Sequence, residues 1–103
     1  MIRAVTMALA LVASPVQASD NLCKNMGEFA ELVMTARQNE MPLSKMLELL
    51  ASVKNNLPES TAAMRSIVLE AYNEHSYSTK EVQNRVIMEF RNRIETKCHQ
   101  DYS

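Results

Sequence analysis

The chain has 103 residues, 11 basic and 12 acidic side chains, a formal net charge of −1, one glycine, two cysteines and no tryptophan. That length allows one domain with one modest core and excludes a second. A single glycine excludes the glycine-rich loops that cradle phosphates, and near-neutral charge excludes nucleic-acid binding by broad phosphate neutralisation.

The N-terminus reads as an export signal. Met1-Ile2-Arg3 gives a short basic start, Ala4 to Ala13 an apolar run, and Ser14-Pro15-Val16-Gln17-Ala18 a break that ends in a small residue. This is the pattern of a secretory signal peptide over 1–18, cleaved after Ala18. The apolar run is too short to span a bilayer comfortably. Residues 19–103 then form a single α-helical domain with no transmembrane segment. Loss of Arg3 moves its formal charge to −2. The expected location is the periplasm or outside the cell.

Cys23 and Cys98 lie near the two ends of that domain. An even cysteine count in an exported protein reads as a disulfide. No Cys-x-x-Cys spacing suggests redox catalysis.

Four segments have helical apolar spacing. The first is predicted over Leu22 to Asn39, with Leu22, Met26, Phe29, Ala30, Val33 and Met34 on one face. Gly27 interrupts it at a cost of about 1 kcal/mol relative to alanine. The Met41-Pro42 step ends it. The second is predicted to be capped by Ser44 and to carry Leu43, Met46, Leu47, Leu50, Val53 and Leu57. The third runs from about Glu59 to Glu74, with Pro58 in its first turn. Its face holds Ala63, Met64, Ile67, Val68, Ala71 and Tyr72. The fourth opens on a capping-box pattern, Ser78 with Glu81, and a Tyr77–Val82 hydrophobic staple. Val82, Val86, Ile87, Phe90, Ile94 and Cys98 line its face, with Glu81–Arg85 and Glu89–Arg93 outside as i,i+4 pairs.

Short connections make sequential helices antiparallel. The predicted fold is all-α: a small up-down bundle of four helices, with three as the alternative count, closed by one disulfide. An up-down path brings Cys23 to Cys98 at one pole. It gathers two loops at the other pole, with Arg37, Gln38, Met41, Tyr72, His75 and Tyr77. Loops on a rigid scaffold concentrate binding residues, so these six are the candidate binding surface. The structural alternative is that Tyr72 and Tyr77 staple the turn while the polar groups are solvated.

No other constellation carries chemistry. His75 and His99 are the only histidines and fall at opposite poles, so no metal site is expected. Met26, Met34, Met41, Met46, Met64 and Met88 read as core filling, with Met41 and Met88 the more exposed. Glu28 with Glu31, and Glu70 with Glu74, read as solvated surface. Arg85, Arg91, Arg93 and Lys97 alternate with acidic residues and read as an ion-paired face.

Val33-Met34-Thr35-Ala36-Arg37-Gln38-Asn39, Pro42-Leu43-Ser44-Lys45-Met46, Ala71-Tyr72, Ser78-Thr79-Lys80-Glu81, Phe90-Arg91-Asn92 and the closing Cys98 resemble a group of small exported proteins of proteobacteria and their phages. The resemblance spans Cys23 to Cys98. Members of the group often carry glycine where this chain has Glu40. The resemblance implies an exported, disulfide-closed domain and supplies Arg37, Gln38 and Tyr72 as matching positions, with no catalytic residue and no cofactor. The expected function is a non-enzymatic periplasmic interaction or binding module for a protein or an envelope component, without nucleic acid. The alternative is a stress or holdase-like chaperone; a small hydrolase or metal carrier ranks behind both.

Overall fold

The computed structural model describes residues 2–52 and 58–102, with side chains described over 20–52 and 61–102. It contains four helices: α1 (Ile2–Gln38), α2 (Leu43–Ala51), α3 (Pro58–Ala71) and α4 (Lys80–Tyr102). No strand occurs among the described residues. The fold is the all-α, disulfide-closed bundle that the periodicity predicts. Among the described residues, no helix is long and apolar enough to cross a membrane.

α1 is the spine. It packs on α4 and on α3, and the short α2 packs on α3. Partners between α1 and α4 run in opposite senses: Cys23 is bonded to Cys98, Gly27 lies beside Glu95, and Glu31 pairs with Arg91. The two helices are therefore antiparallel. Their ladder starts at the disulfide, whose Cα atoms are 5.4 Å apart. The core between the helices contains Ala30, Val33 and Met34 of α1, Ile67 and Val68 of α3, and Phe90 and Ile94 of α4. Met46 and Leu50 close it from α2. Each of these residues belongs to an apolar face read from the sequence.

Five boundaries differ from expectation, among them the end of α3, which stops at Ala71 rather than Glu74. α1 begins far upstream of Leu22, at Ile2, through a stretch that carries five alanines, and alanine is the best helix former. α2 begins at Leu43, so Ser44 lies in its first turn and is not its cap. Pro42 is extended there, and its carbonyl accepts the first helical N–H groups, from Lys45 and Met46. α2 ends at Ala51, and the expected continuation through Val53 and Leu57 lies outside the described residues.

α4 starts at Lys80, and its cap is Thr79, one residue later than Ser78. The Val82 N–H donates to Thr79 Oγ1 at 3.4 Å. The third helical position is then Val82, so Glu81 cannot complete a capping box. Gln83 instead reaches back and donates to the Tyr77 carbonyl at 2.6 Å. Tyr77 is itself held by α1, and this anchoring sets where the chain turns into α4.

The end of α1 explains the Glu40 position. Met41 N–H donates to Ala36 O at 3.0 Å and Glu40 N–H to Arg37 O at 2.9 Å. This pair of bonds is a Schellman cap, whose penultimate residue takes a left-handed conformation. Glu40 occupies it with φ 65°.

Candidate functional site

The loops at the far pole do meet, and a single side chain organises them. Gln38 ends α1 and is 3% exposed, the only buried polar residue among those described. Its Nε2 donates to His75 O at 2.6 Å, and its Oε1 accepts from Tyr77 N–H at 2.8 Å. The amide therefore pairs with the segment 75–77 as a neighbouring strand would. Ser76 Oγ adds a bond to the Gln38 carbonyl at 3.4 Å.

Arg37 works beside it. Its Nε donates to Glu74 O at 2.9 Å, capping a carbonyl just past α3. Its guanidinium carbon sits 5.5 Å from the centroid of the Tyr72 ring, within cation–π range. The Tyr72 hydroxyl donates to Met41 O at 2.8 Å and ties the α1–α2 turn to the end of α3. The Tyr77 hydroxyl donates to Glu74 Oε1 at 2.9 Å. The His75 and Tyr77 rings meet edge to face at 6.2 Å.

The structure thus brings together all six residues of the predicted surface. It also engages the polar side chains of Arg37, Gln38, Tyr72 and Tyr77 with groups of the two loops. Gln38 is inside the assembly, not on its surface. Met41 is half-buried against the core, whereas Met88 is exposed. Of the six, only His75 is exposed. Both tyrosines hold their protons more tightly than a free phenol. For Tyr72 the main cause is burial, partly opposed by the Arg37 charge. For Tyr77 it is the hydrogen bond to the Glu74 carboxylate, then burial. Neither is poised as a base or nucleophile. The arrangement is a latch joining the α1–α2 and α3–α4 turns.

The opposite pole is different. Cys23 and Cys98 are buried there, and a trough opens beside them between α1, α3 and the end of α4. Its larger chamber has a volume of about 380 Å³, with Leu22, Met26, Phe29, Met64 and Ile67 among its walls. A smaller chamber of about 170 Å³ shares Met26, Ala63, Ile67 and Tyr102 with it and is also lined by Lys97, Cys98 and Asp101. Leu22 and Tyr102 stand 41% and 57% exposed at the rim. A concave site with mostly apolar walls and a few polar groups is the usual form of a ligand-binding site.

No family model, curated protein or solved structure matches this chain.

Among the described residues no group of histidine, cysteine and carboxylate side chains could hold a metal ion. His99 faces Asp20 at 3.6 Å on the surface near the disulfide, at the pole opposite His75. Among the described residues only Arg91 and Arg93 of the α4 basic stripe are ion-paired, and neither the Glu81–Arg85 nor the Glu89–Arg93 pair forms. Arg93 reaches Glu70 on α3 at 3.3 Å rather than Glu89, and Arg91 bridges Glu31 of α1 and Glu95 of its own helix.

Sequence reasoning missed Glu74 and Gln83 as members of the latch and missed the trough entirely. The partners of Arg37, Gln38 and Gln83 in the latch are backbone atoms, which leave no residue pattern. The trough is lined by Met26, Phe29, Met64 and Ile67, which read from sequence as ordinary core positions.

Proposed function

We propose that the chain is a small exported binding module without enzymatic activity, freed of its signal peptide after Ala18 and working in the periplasm or outside the cell on a protein or envelope component. The disulfide fits an oxidising compartment. The observation that carries the binding reading is the open apolar trough beside that disulfide, on a scaffold whose opposite pole is latched by its own side chains. A rigid frame that carries an open apolar surface loses little entropy when that surface is covered. We therefore take the disulfide pole as the working face, with Arg37 and Tyr72 as scaffold.

The test is retention of envelope material. The mature protein is compared with Ala63→Phe, which fills the trough, and with Arg37→Ala/Tyr72→Ala. Lipid and protein fractions are both identified by mass spectrometry. The reading expects one component held by the native protein and the pole variant and lost by Ala63→Phe. Loss in the pole variant alone would return the surface to the Arg37 pole. Nothing held by any of the three would dismiss a binding module.

A further inference from the structure

We propose that the trough takes the single acyl chain of a zwitterionic amphiphile of the lysophospholipid type, with its head between Lys97 and Asp101; this rests on the binding-module reading and names its ligand. The larger chamber offers a hydrocarbon a mostly apolar wall, from Leu22, Met26, Phe29 and Met64, with Asn25 and Tyr102 as its polar side chains. Methionine side chains are flexible and polarizable, so they mould to a chain without a fixed shape. At about 380 Å³ the chamber is at the small end of ligand sites, which run roughly 300–1,000 Å³. That suits one acyl chain and not two.

The charges at the other end select the head group. The smaller chamber presents Glu70, Lys97 and Asp101. Glu70 is already engaged by Arg93. Lys97 and Asp101 are one turn apart on α4, and neither makes an ion pair among the described residues. One cation and one anion remain side by side, next to an apolar chamber. A fatty acid would satisfy Lys97 and set its carboxylate against Asp101. A long-chain amine would do the reverse. A head carrying a phosphate and an ammonium satisfies both. Covering the trough also covers Leu22 and Tyr102 at its rim, and shields Cys98, which lines the smaller chamber.

The experiment titrates the oxidised protein with lauroyl lysophosphatidylethanolamine, laurate and dodecylamine, each below its micelle concentration, by calorimetry. Circular dichroism checks the fold of each variant. The lysophospholipid is expected to bind at least tenfold more tightly than either single-charge amphiphile. Ala63→Phe should weaken it at least tenfold. Lys97→Ala should narrow its advantage over dodecylamine, and Asp101→Ala its advantage over laurate. Bound lysophospholipid should also slow reduction of Cys23–Cys98 by a phosphine in the native protein and not in Ala63→Phe. Equal affinity for all three amphiphiles, lost in Ala63→Phe, would overturn the head assignment and leave the binding module standing. Binding unaffected by Ala63→Phe would overturn the trough as the site. Absence of binding by all three overturns the amphiphile proposal, while the envelope-retention test decides the binding module separately.

Discussion

Glu95 of α4 lies flat across the backbone of α1 at Gly27. A Cβ built on Gly27 would fall under 3.0 Å from the Glu95 Oε2, Cγ and Cδ atoms. Swinging Glu95 away would give up its pairing with Arg91, whose Nε donates to Glu95 Oε2 at 2.7 Å while another arm of the same guanidinium holds Glu31 on α1. The chain's one glycine therefore sits where a carboxylate arm crosses its helix.

This gives a sign test. Glycine inside a helix costs about 1 kcal/mol relative to alanine, so Gly27→Ala would stabilise an unobstructed α1. With Glu95 in place, we expect Gly27→Ala to give no gain, or a loss. With Glu95→Ala in the background, the same change should gain about 1 kcal/mol. Urea unfolding of the four proteins of the cycle measures the coupling. A clear gain from Gly27→Ala alone would show that Glu95 moves aside at no cost.

Glu40 offers a simpler gain. It holds φ 65° at the Schellman turn after α1. A side chain in the left-handed region costs roughly 1–2 kcal/mol, which glycine avoids. Glycine's greater freedom in the unfolded chain takes back roughly 0.5–1 kcal/mol. Glu40→Gly should therefore stabilise by up to about 1 kcal/mol, raising Tm by about 4–8 °C per kcal/mol for a domain of this size. Thermal denaturation checks it, and a lowered Tm would contradict the argument.

The helices were legible because burial imposes a 3.6-residue period, and residues such as Val33, Met46, Ile67 and Phe90 follow it. The pairing of Cys23 with Cys98 and the meeting of the far loops both follow from an up-down path with short turns. What the residues do once they meet was not legible. Gln38 ends a helix next to a turn, where a glutamine ordinarily points to water. Its burial depends on the carbonyl of His75 and the N–H of Tyr77, groups every residue has. Ser78 and Thr79 are both good caps, and only the anchoring of Tyr77 selects the second. The trough depends on how α1, α3 and the end of α4 diverge, which apolar spacing along any one helix does not encode.

Gln38 should be the most sensitive polar residue of the latch. Replacing it with leucine keeps the bulk and strips partners from His75 O and Tyr77 N–H. Losing such partners costs roughly 1–3 kcal/mol. Gln38→Glu keeps the acceptor for Tyr77 N–H but sets a carboxylate against the His75 carbonyl. Its deficit should shrink at acidic pH, where a protonated carboxyl can donate to that carbonyl. Chemical denaturation at neutral and acidic pH separates the two variants. A pH-independent deficit in Gln38→Glu would mean that the donor to His75 contributes nothing.

The tyrosines set the alkaline limit. Both Tyr72 and Tyr77 have pKa values raised in the folded protein, by burial in one case and chiefly by the Glu74 hydrogen bond in the other. A raised pKa means that folding favours the protonated phenol. The associated stability is complete below the ordinary tyrosine pKa of about 10 and is lost as pH climbs through the raised values. Stability should therefore be flat through neutral pH with respect to these groups and fall above about pH 10. Tyr72→Phe and Tyr77→Phe should each soften that fall. Denaturation midpoints across the alkaline range test this; an unchanged alkaline slope in both variants would remove the tyrosines from the account.

The Cys23–Cys98 bridge ties the first helix to the last across a sequence separation of 75 residues. In the chain-entropy model a loop of that length is worth about 4.5 kcal/mol, less any structure retained when the bridge is open. Small domains have only about 5–15 kcal/mol in total. Cys23→Ala/Cys98→Ala should therefore lose a large part of its stability, and the loss should be uneven. The Gln38 and Tyr72 bonds are at the opposite pole and do not use the bridge. The α1–α4 ladder from Cys23 to Glu31 does. Hydrogen exchange should show amides near 23–30 and 94–98 losing protection first, with the Tyr77 N–H that Gln38 holds persisting longer. Uniform loss of protection would mean that the latch and the bridge unfold as one unit. An unchanged unfolding midpoint would mean that the core closes without the cross-link.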